Sequence, residues 1–288
     1  MRALAQYVMR GPLQAGGVAA LATAIPYLSW IGAAVVGLVI LRLGVAQGLN
    51  IALWALLPAL GWAWIGNEPT VISVLLLVFL MTAVLRSTVS WEKSLLAGSG
   101  LGLVIGLALP VLFSGMLQEV TEAFMSLYQW AYPDMSQQLG SDLEKAMRSM
   151  VEGLMPGTYL GMAVAVAMLS RYWQAVLYNP GGFRREFHAF RLSRGVSALC
   201  VLLLLVAPVI GINPLLLGWV AGLPLLVAGI ALVHGVVGRK NASNLWLVVF
   251  YALLVVQGFT ISLLLMLLAI VDSWLDIRGR IKPSGPAE

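Results

Sequence analysis

The chain has 288 residues, 60% of them hydrophobic and only 10% charged, with a mean hydropathy of +0.93 and a net charge of +5. So much apolar side chain exceeds what one soluble core can bury, which excludes a water-soluble fold. In such a composition excess Lys and Arg marks the cytoplasmic turns of a membrane protein and not a nucleic-acid partner.

Apolar blocks run over residues 12–41, 45–65, 70–86, 94–115, 155–178, 195–212, 214–237 and 243–271. They are continuously apolar and do not alternate at period two, so they predict helices and not a β-barrel, since only those two structures satisfy their own backbone in lipid. The expected fold class is an all-α membrane protein, a polytopic transmembrane helix bundle of 8–10 membrane segments. Arg2 and Arg10 precede an apolar run too long for a cleavable leader, so the first segment is expected to be retained.

The first block is too long for one crossing and carries Pro26 near its middle, with Tyr27 and Trp30 beside it; this predicts a hairpin. The last block has a similar excess and Gln257-Gly258 at its centre. If both are hairpins, 15 of the 17 Lys and Arg fall on the cytoplasmic side, leaving Lys145 and Arg148 outside. If both are single helices the split is 10 against 7, so charge asymmetry favours ten segments with both termini in the cytoplasm of a bacterial inner-membrane protein.

Three parts follow: N-terminal transmembrane helices over 1–115, an external acidic amphipathic helical insertion over 116–152, and C-terminal transmembrane helices over 153–288 with a basic cytoplasmic loop at 179–194. The insertion has six acids against Lys145 and Arg148, and its apolar spacing predicts two helices broken at Pro133-Asp134. Ser141-Asp-Leu-Glu144 fits a capping box at the start of the second.

Arg171, Gln174 and Tyr178 recur at i, i+3 and i+7, forming a polar stripe at the cytoplasmic end of a span, and Asn179-Pro-Gly-Gly182 stops that helix. Beyond it Phe183, Phe187 and Phe190 oppose Arg184, His188 and Arg191. This pattern predicts a short helix in the membrane interface, rings down and charges toward anionic headgroups, serving as an anchor, a gate or an anion site. Near the C-terminus Asp272 and Asp276 are spaced i, i+4, either as an acidic pair at membrane depth or as a plain helix end with Asp276 beside Arg278.

The stretch Arg171-Tyr-Trp-Gln-Ala-Val-Leu-Tyr-Asn-Pro-Gly-Gly-Phe183 with its basic loop, and the ending Asp272-Ser-Trp-Leu-Asp-Ile-Arg278, resemble the YybS-like family of uncharacterised bacterial membrane proteins. That family is similar in turn to the substrate-binding S components of energy-coupling-factor transporters, and the resemblance implies solute binding with a membrane coupling or ATPase partner. Gly16, Ala20 and Ala24 lie on one face of the first segment at the spacing through which S components dock, which is also the spacing of ordinary helix packing. The extra spans and the acidic insertion depart from a compact S component.

No catalytic constellation is visible. Gly98, Gly100, Gly102 and Gly106 follow no strand and read as helix-packing glycines, and there is no Walker lysine, nucleophile elbow or zinc-protease motif. Cys200 is the lone cysteine, and His188 and His234 are too few for a metal cluster, so neither cofactor nor metal is expected. Gln47, Asn50, Asn213 and Gln257 are polar groups at depth or at turns that either line a cavity or hold helices together. The leading expectation is a small-solute binding or transport component surrounded by the lipid bilayer; the alternative is a scaffold acting through its basic loop and external helices.

Overall fold

The computed structural model describes residues 1–25 and 27–281, and of Gln137 the backbone alone. The predicted turn residue Pro26 and the basic Lys282 lie outside the described residues. Among the described residues there are fifteen helices and no strand.

A short α1 (Arg2–Val8) leads through Gly11 into α2 (Pro12–Ala24), whose proline sits at the first helical position, where a missing N–H costs nothing. The first apolar block is indeed two helices, since α3 (Ser29–Leu43) folds back on α2. A side chain at Gly32 of α3 would strike Thr23 and the Ala19 carbonyl of α2, while Ala15 and Val39 line one small cavity nearer the other end. From Gly32 to Leu41 every residue of α3 is buried, the all-round apolar character of a helix at the centre of a bundle.

Three long helices follow: α4 (Val45–Trp64), α5 (Thr70–Thr88) and α6 (Trp91–Leu112). The insertion begins as α7 (Ser114–Ala131), breaks at Tyr132, and continues as α8 (Pro133–Leu139). Its second helix is not a separate element. It belongs to α9 (Ser141–Tyr178), 38 residues and about 57 Å long, so the expected boundary at residue 152 falls inside one continuous helix. The capping box does not form either. Gly140 holds the cap position with φ +48°, which leaves Ser141 already helical and its side chain out of the capping role.

After α10 (Gly182–Ala189) the chain bends by 64° into α11 (Arg194–Val206). This helix stops at Val206, well short of the predicted residue 212, because Pro208 has no N–H to continue the ladder and disfavours helical backbone just before it. α12 (Pro214–Arg239) starts at Asn213, whose side chain accepts from the N–H groups of Leu215 and Leu216 and donates to the Ser149 carbonyl, pinning that turn to α9. The last block is also broken, at Gln257, into α13 (Leu245–Val256) and α14 (Gly258–Leu275), and the chain closes with α15 (Ile277–Arg280). α14 runs parallel to α12: Gly229 abuts Leu265, and further along α12 Gly235 abuts Arg278 of α15, just past the end of α14. α13 is therefore the return stroke between them.

Six helices are long and apolar enough to cross a membrane, α4, α5, α6, α9, α12 and α14; α10 and α11, bent by 64°, form either a broken span or a re-entrant loop. α2, α3, α11 and α13, of 12 to 15 residues, are shorter than the roughly 30 Å hydrocarbon layer. The protein is an integral membrane protein of the helix-bundle class. Its helices are joined by close approach and hydroxyl bridges: Ser94 donates to the Met81 carbonyl, Ser99 to that of Val220, and Ser170 to that of Ala34. Three of the four α6 glycines pack as expected, a β-carbon at Gly98 meeting the Met81 sulfur at 2.8 Å, one at Gly102 meeting Leu160 at 3.3 Å and one at Gly106 meeting Leu216 at 2.5 Å, whereas Gly100 faces open space.

The turns gather at two ends of opposite charge. At one end lie Arg42, Arg86, Arg171, Arg191 and Arg278, held by contacts that run from the Leu41 carbonyl to Asp276, with Arg184 and Arg239 beside Arg278 and Arg194 over Trp274. α1 and α15 are at this end too, so both termini of the described chain share it. At the other end are Glu68, the α7–α8 arm and the first turns of α9, where Lys145 and Arg148 are the only bases among the described residues and each faces an acid.

Candidate functional site at the basic end

The polar stripe predicted on α9 forms and is an anchor. Arg171 grips Glu186 of α10 with two guanidinium nitrogens and also donates to Gln174, whose amide donates to the Leu41 carbonyl at 2.8 Å. Tyr178 supplies a ring face to Arg42 at 4.0 Å. Asn179 caps α9, and its carbonyl receives the Gly182 N–H at 2.9 Å; Gly181, at φ +80°, supplies the left-handed backbone that reverses the chain.

α10 does not lie rings-down in lipid. Phe183 packs edge-on against Trp91 and Tyr172 and stacks on Phe187, which in turn meets His234, while Phe190 is buried just after the helix. The aromatic face is taken up by α6, α9 and α12, and Glu186 finds its cation on α9, so the helix is clamped to the bundle and presents Arg184 and Arg185 on its free side, while His188 lies against Gly238 of α12.

The acidic pair at the end of α14 is divided. Asp272 is buried and pairs with Arg278 at 2.7 Å, not with a second acid, and it also accepts the Ile277 N–H at 2.8 Å. Asp276, not Asp272, takes Arg191, at 3.0 Å, and caps α15 through the Gly279 N–H. The expected neighbour pair of Asp276 and Arg278 is thus absent: Asp276 sits in left-handed backbone at φ +49°, which turns Arg278 back onto Asp272. Arg278 also donates to the His188 carbonyl at 2.8 Å and ties α14 to α10.

Between these elements opens a bowl of about 800 Å³ lined by Arg184, Arg185, His188, Arg191, Arg239 and Arg278, together with Asp276. Among the described residues Arg184, Arg185 and Arg239 have no carboxylate partner. Burial lowers the His188 pKa from its ordinary value of 6.5, and the positive field of Arg184 and Arg278 lowers it further. A concavity of this size is in the range of small-molecule sites. Planar guanidiniums converging on it suit carboxylate or phosphate oxygens.

Of the residues singled out in the sequence, Arg184, His188, Arg191, Asp276 and Arg278 meet at this bowl. Arg171, Gln174 and Tyr178 lie behind α10, Asn179 shapes the turn, and Asp272 is buried beneath. Arg185 and Arg239 were not anticipated. The spacing of Arg239 one turn beyond His234 was the available signal. The two histidines, distant in sequence, stand with ring centroids 6.1 Å apart, and His234 Nε2 is 2.8 Å from the Tyr251 hydroxyl. Among the described residues no group of three or more His, Cys, Asp or Glu is placed to hold a metal ion.

The small-residue stripe on α2 is partly consumed within the chain. A β-carbon at Gly16 would press on the Trp54 ring at 3.1 Å, whereas Ala20 is half-buried and Ala24 exposed. Gln47 and Asn50 line a cavity of about 90 Å³ near the basic end, against Val8 and Met9. Comparison with protein-family models, with curated proteins and with solved structures finds no match to this chain.

Proposed function

We propose that this integral membrane protein is a binding or transport component for a small anionic solute, recognised in the arginine bowl at its basic end. The observation that carries the reading is the convergence of five guanidiniums on one concavity of about 800 Å³ whose lining carboxylate, Asp276, already has a partner. The basic end faces the cytoplasm, where the positive-inside rule puts Lys and Arg turns, so the solute is met or released there. Energy comes from a partner or an ion gradient. The resemblance of its two motifs to the YybS-like family, itself similar to S components, points to a membrane coupling or ATPase partner.

The test is thermal unfolding of the purified protein in mild detergent against inorganic phosphate and a panel of phosphorylated and carboxylated metabolites. A bound anion at 100 times its dissociation constant adds about 2.7 kcal/mol of stability. The double variant Arg184→Ala/Arg185→Ala loses that gain. No stabilisation by any anion, or equal stabilisation of the variant, refutes the assignment. A scaffold role has one observation in its favour: the arm at the acidic end exposes Phe124, Leu127 and Trp130. Capture of envelope proteins through that arm, with no anion effect, would favour it instead.

A further inference from the structure

A second feature of the basic end faces sideways, toward lipid. α11 and α14 diverge to leave a crevice of about 360 Å³, with Val201 and Leu205 on one wall, Ile270 on the other and Trp274 at its mouth. Its lining is apolar with one exception. Ser197 is fully buried, and its hydroxyl has no hydrogen-bond partner. An unpaired hydroxyl away from water costs free energy that a ligand acceptor would recover.

One helical turn above Ser197, on the same face of α11, is Arg194. Its guanidinium lies over the Trp274 ring at 5.8 Å and has no carboxylate partner among the described residues. Arg191, in the α10–α11 link, stands beyond it toward the bowl. The order from the bundle end inward is therefore guanidinium, indole, hydroxyl, then hydrocarbon wall. That is the order of an anionic phospholipid: phosphate, interfacial region, ester carbonyl, acyl chain. A wholly apolar crevice would take any lipid; a free arginine at its mouth and an unpaired hydroxyl one turn deeper select headgroup charge.

We infer that the α11–α14 crevice is a specific site for an anionic phospholipid, with its phosphate on Arg194, its ester carbonyl at the Ser197 hydroxyl and one acyl chain between Val201, Leu205 and Ile270. The site is separate from the bowl, and it stands whether or not the bowl binds a solute.

Mixed micelles test it, with unfolding midpoints measured against added phosphatidylglycerol, phosphatidylcholine of the same chains, and glycerol phosphate. Phosphatidylglycerol raises the midpoint, and the other two do so at least about tenfold more weakly, the ratio that one charge-assisted hydrogen bond confers. Arg194→Ala abolishes the difference between the two lipids. Leu205→Trp, at an exposed position, fills the crevice and removes lipid stabilisation while the headgroup arginine stays. Arg184→Ala/Arg185→Ala, which disables the bowl, leaves the phosphatidylglycerol response intact. Equal responses to both lipids, an unchanged response in Arg194→Ala, or a glycerol phosphate response equal to that of the lipid would each overturn the assignment.

Discussion

Replacing Arg278 by Met removes the cation from a pair whose side chains are 8% and 2% exposed. Two links fail together. Asp272 keeps the Ile277 N–H at 2.8 Å but loses its counter-charge, and the His188 carbonyl loses a donor, which frees α10 from the end of α14. Stranding a buried carboxylate costs about 3–5 kcal/mol, and the unpaired carbonyl accounts for about 1–3 kcal/mol of a loss of that kind. Asp272→Asn strands the guanidinium and costs a similar amount. The double variant Asp272→Asn/Arg278→Met leaves no uncompensated charge, so it should fall only about 1–3 kcal/mol below the wild type, the share of the His188 carbonyl. The assay is equilibrium unfolding in micelles of a mild detergent titrated with dodecyl sulfate, with hydrogen exchange of α10 as a local readout. Protection over Gly182–Ala189 should drop in both single variants. If the two single effects add to the double within about 0.5 kcal/mol, the two residues do not act as a unit and the reasoning fails.

Three other outcomes follow. Gly229→Ala, whose new β-carbon would run into the Leu265 backbone, should separate α12 from α14 and cost about 1–3 kcal/mol, whereas Gly100→Ala, in open space, should be neutral or gain up to about 1 kcal/mol; unfolding titrations compare the two. His188 holds its proton less tightly in the folded protein than its ordinary value of 6.5, so the unfolded chain takes up the proton first on acidification. Stability contributed by this group is complete above pH 6.5 and declines as the pH falls below it. His188→Gln should flatten that slope in unfolding midpoints measured between pH 5 and 7.5. Finally, in a Cys200→Ala background, cysteines at Arg185 and Leu127 should react with a membrane-impermeant maleimide from opposite sides of right-side-out and inverted vesicles; labelling from the same side would contradict the two-ended arrangement.

The sequence carried those features that depend on neighbours a few residues apart. Excess block length with an interruption foretold both hairpins, the i, i+3, i+7 spacing foretold the Arg171 stripe, and Pro133 foretold the break in the arm. What it did not carry depends on partners far along the chain. The cation for Glu186 comes from α9, the rings of α10 are covered by Trp91 and His234, and Arg239 reaches the bowl from α12. The phenylalanine face was assigned to lipid because rings against lipid and rings against another helix give the same pattern. Conformation at single residues escaped in the same way: φ at Gly140 cancels the capping box, and φ at Asp276 decides which aspartate Arg278 meets.

The length of α9 sets a mechanical relation between the two faces of the membrane. It exceeds the hydrocarbon thickness by about 27 Å and stays helical from Ser141 to Tyr178, with Pro156 inside it removing one bond of the ladder. Its first turns lie in the arm, and its last turns hold the arginine that grips α10, the wall of the bowl. The arm and the bowl are thus carried on one continuous helix, and a partner that shifts the arm pulls on the same backbone that holds the wall of the bowl.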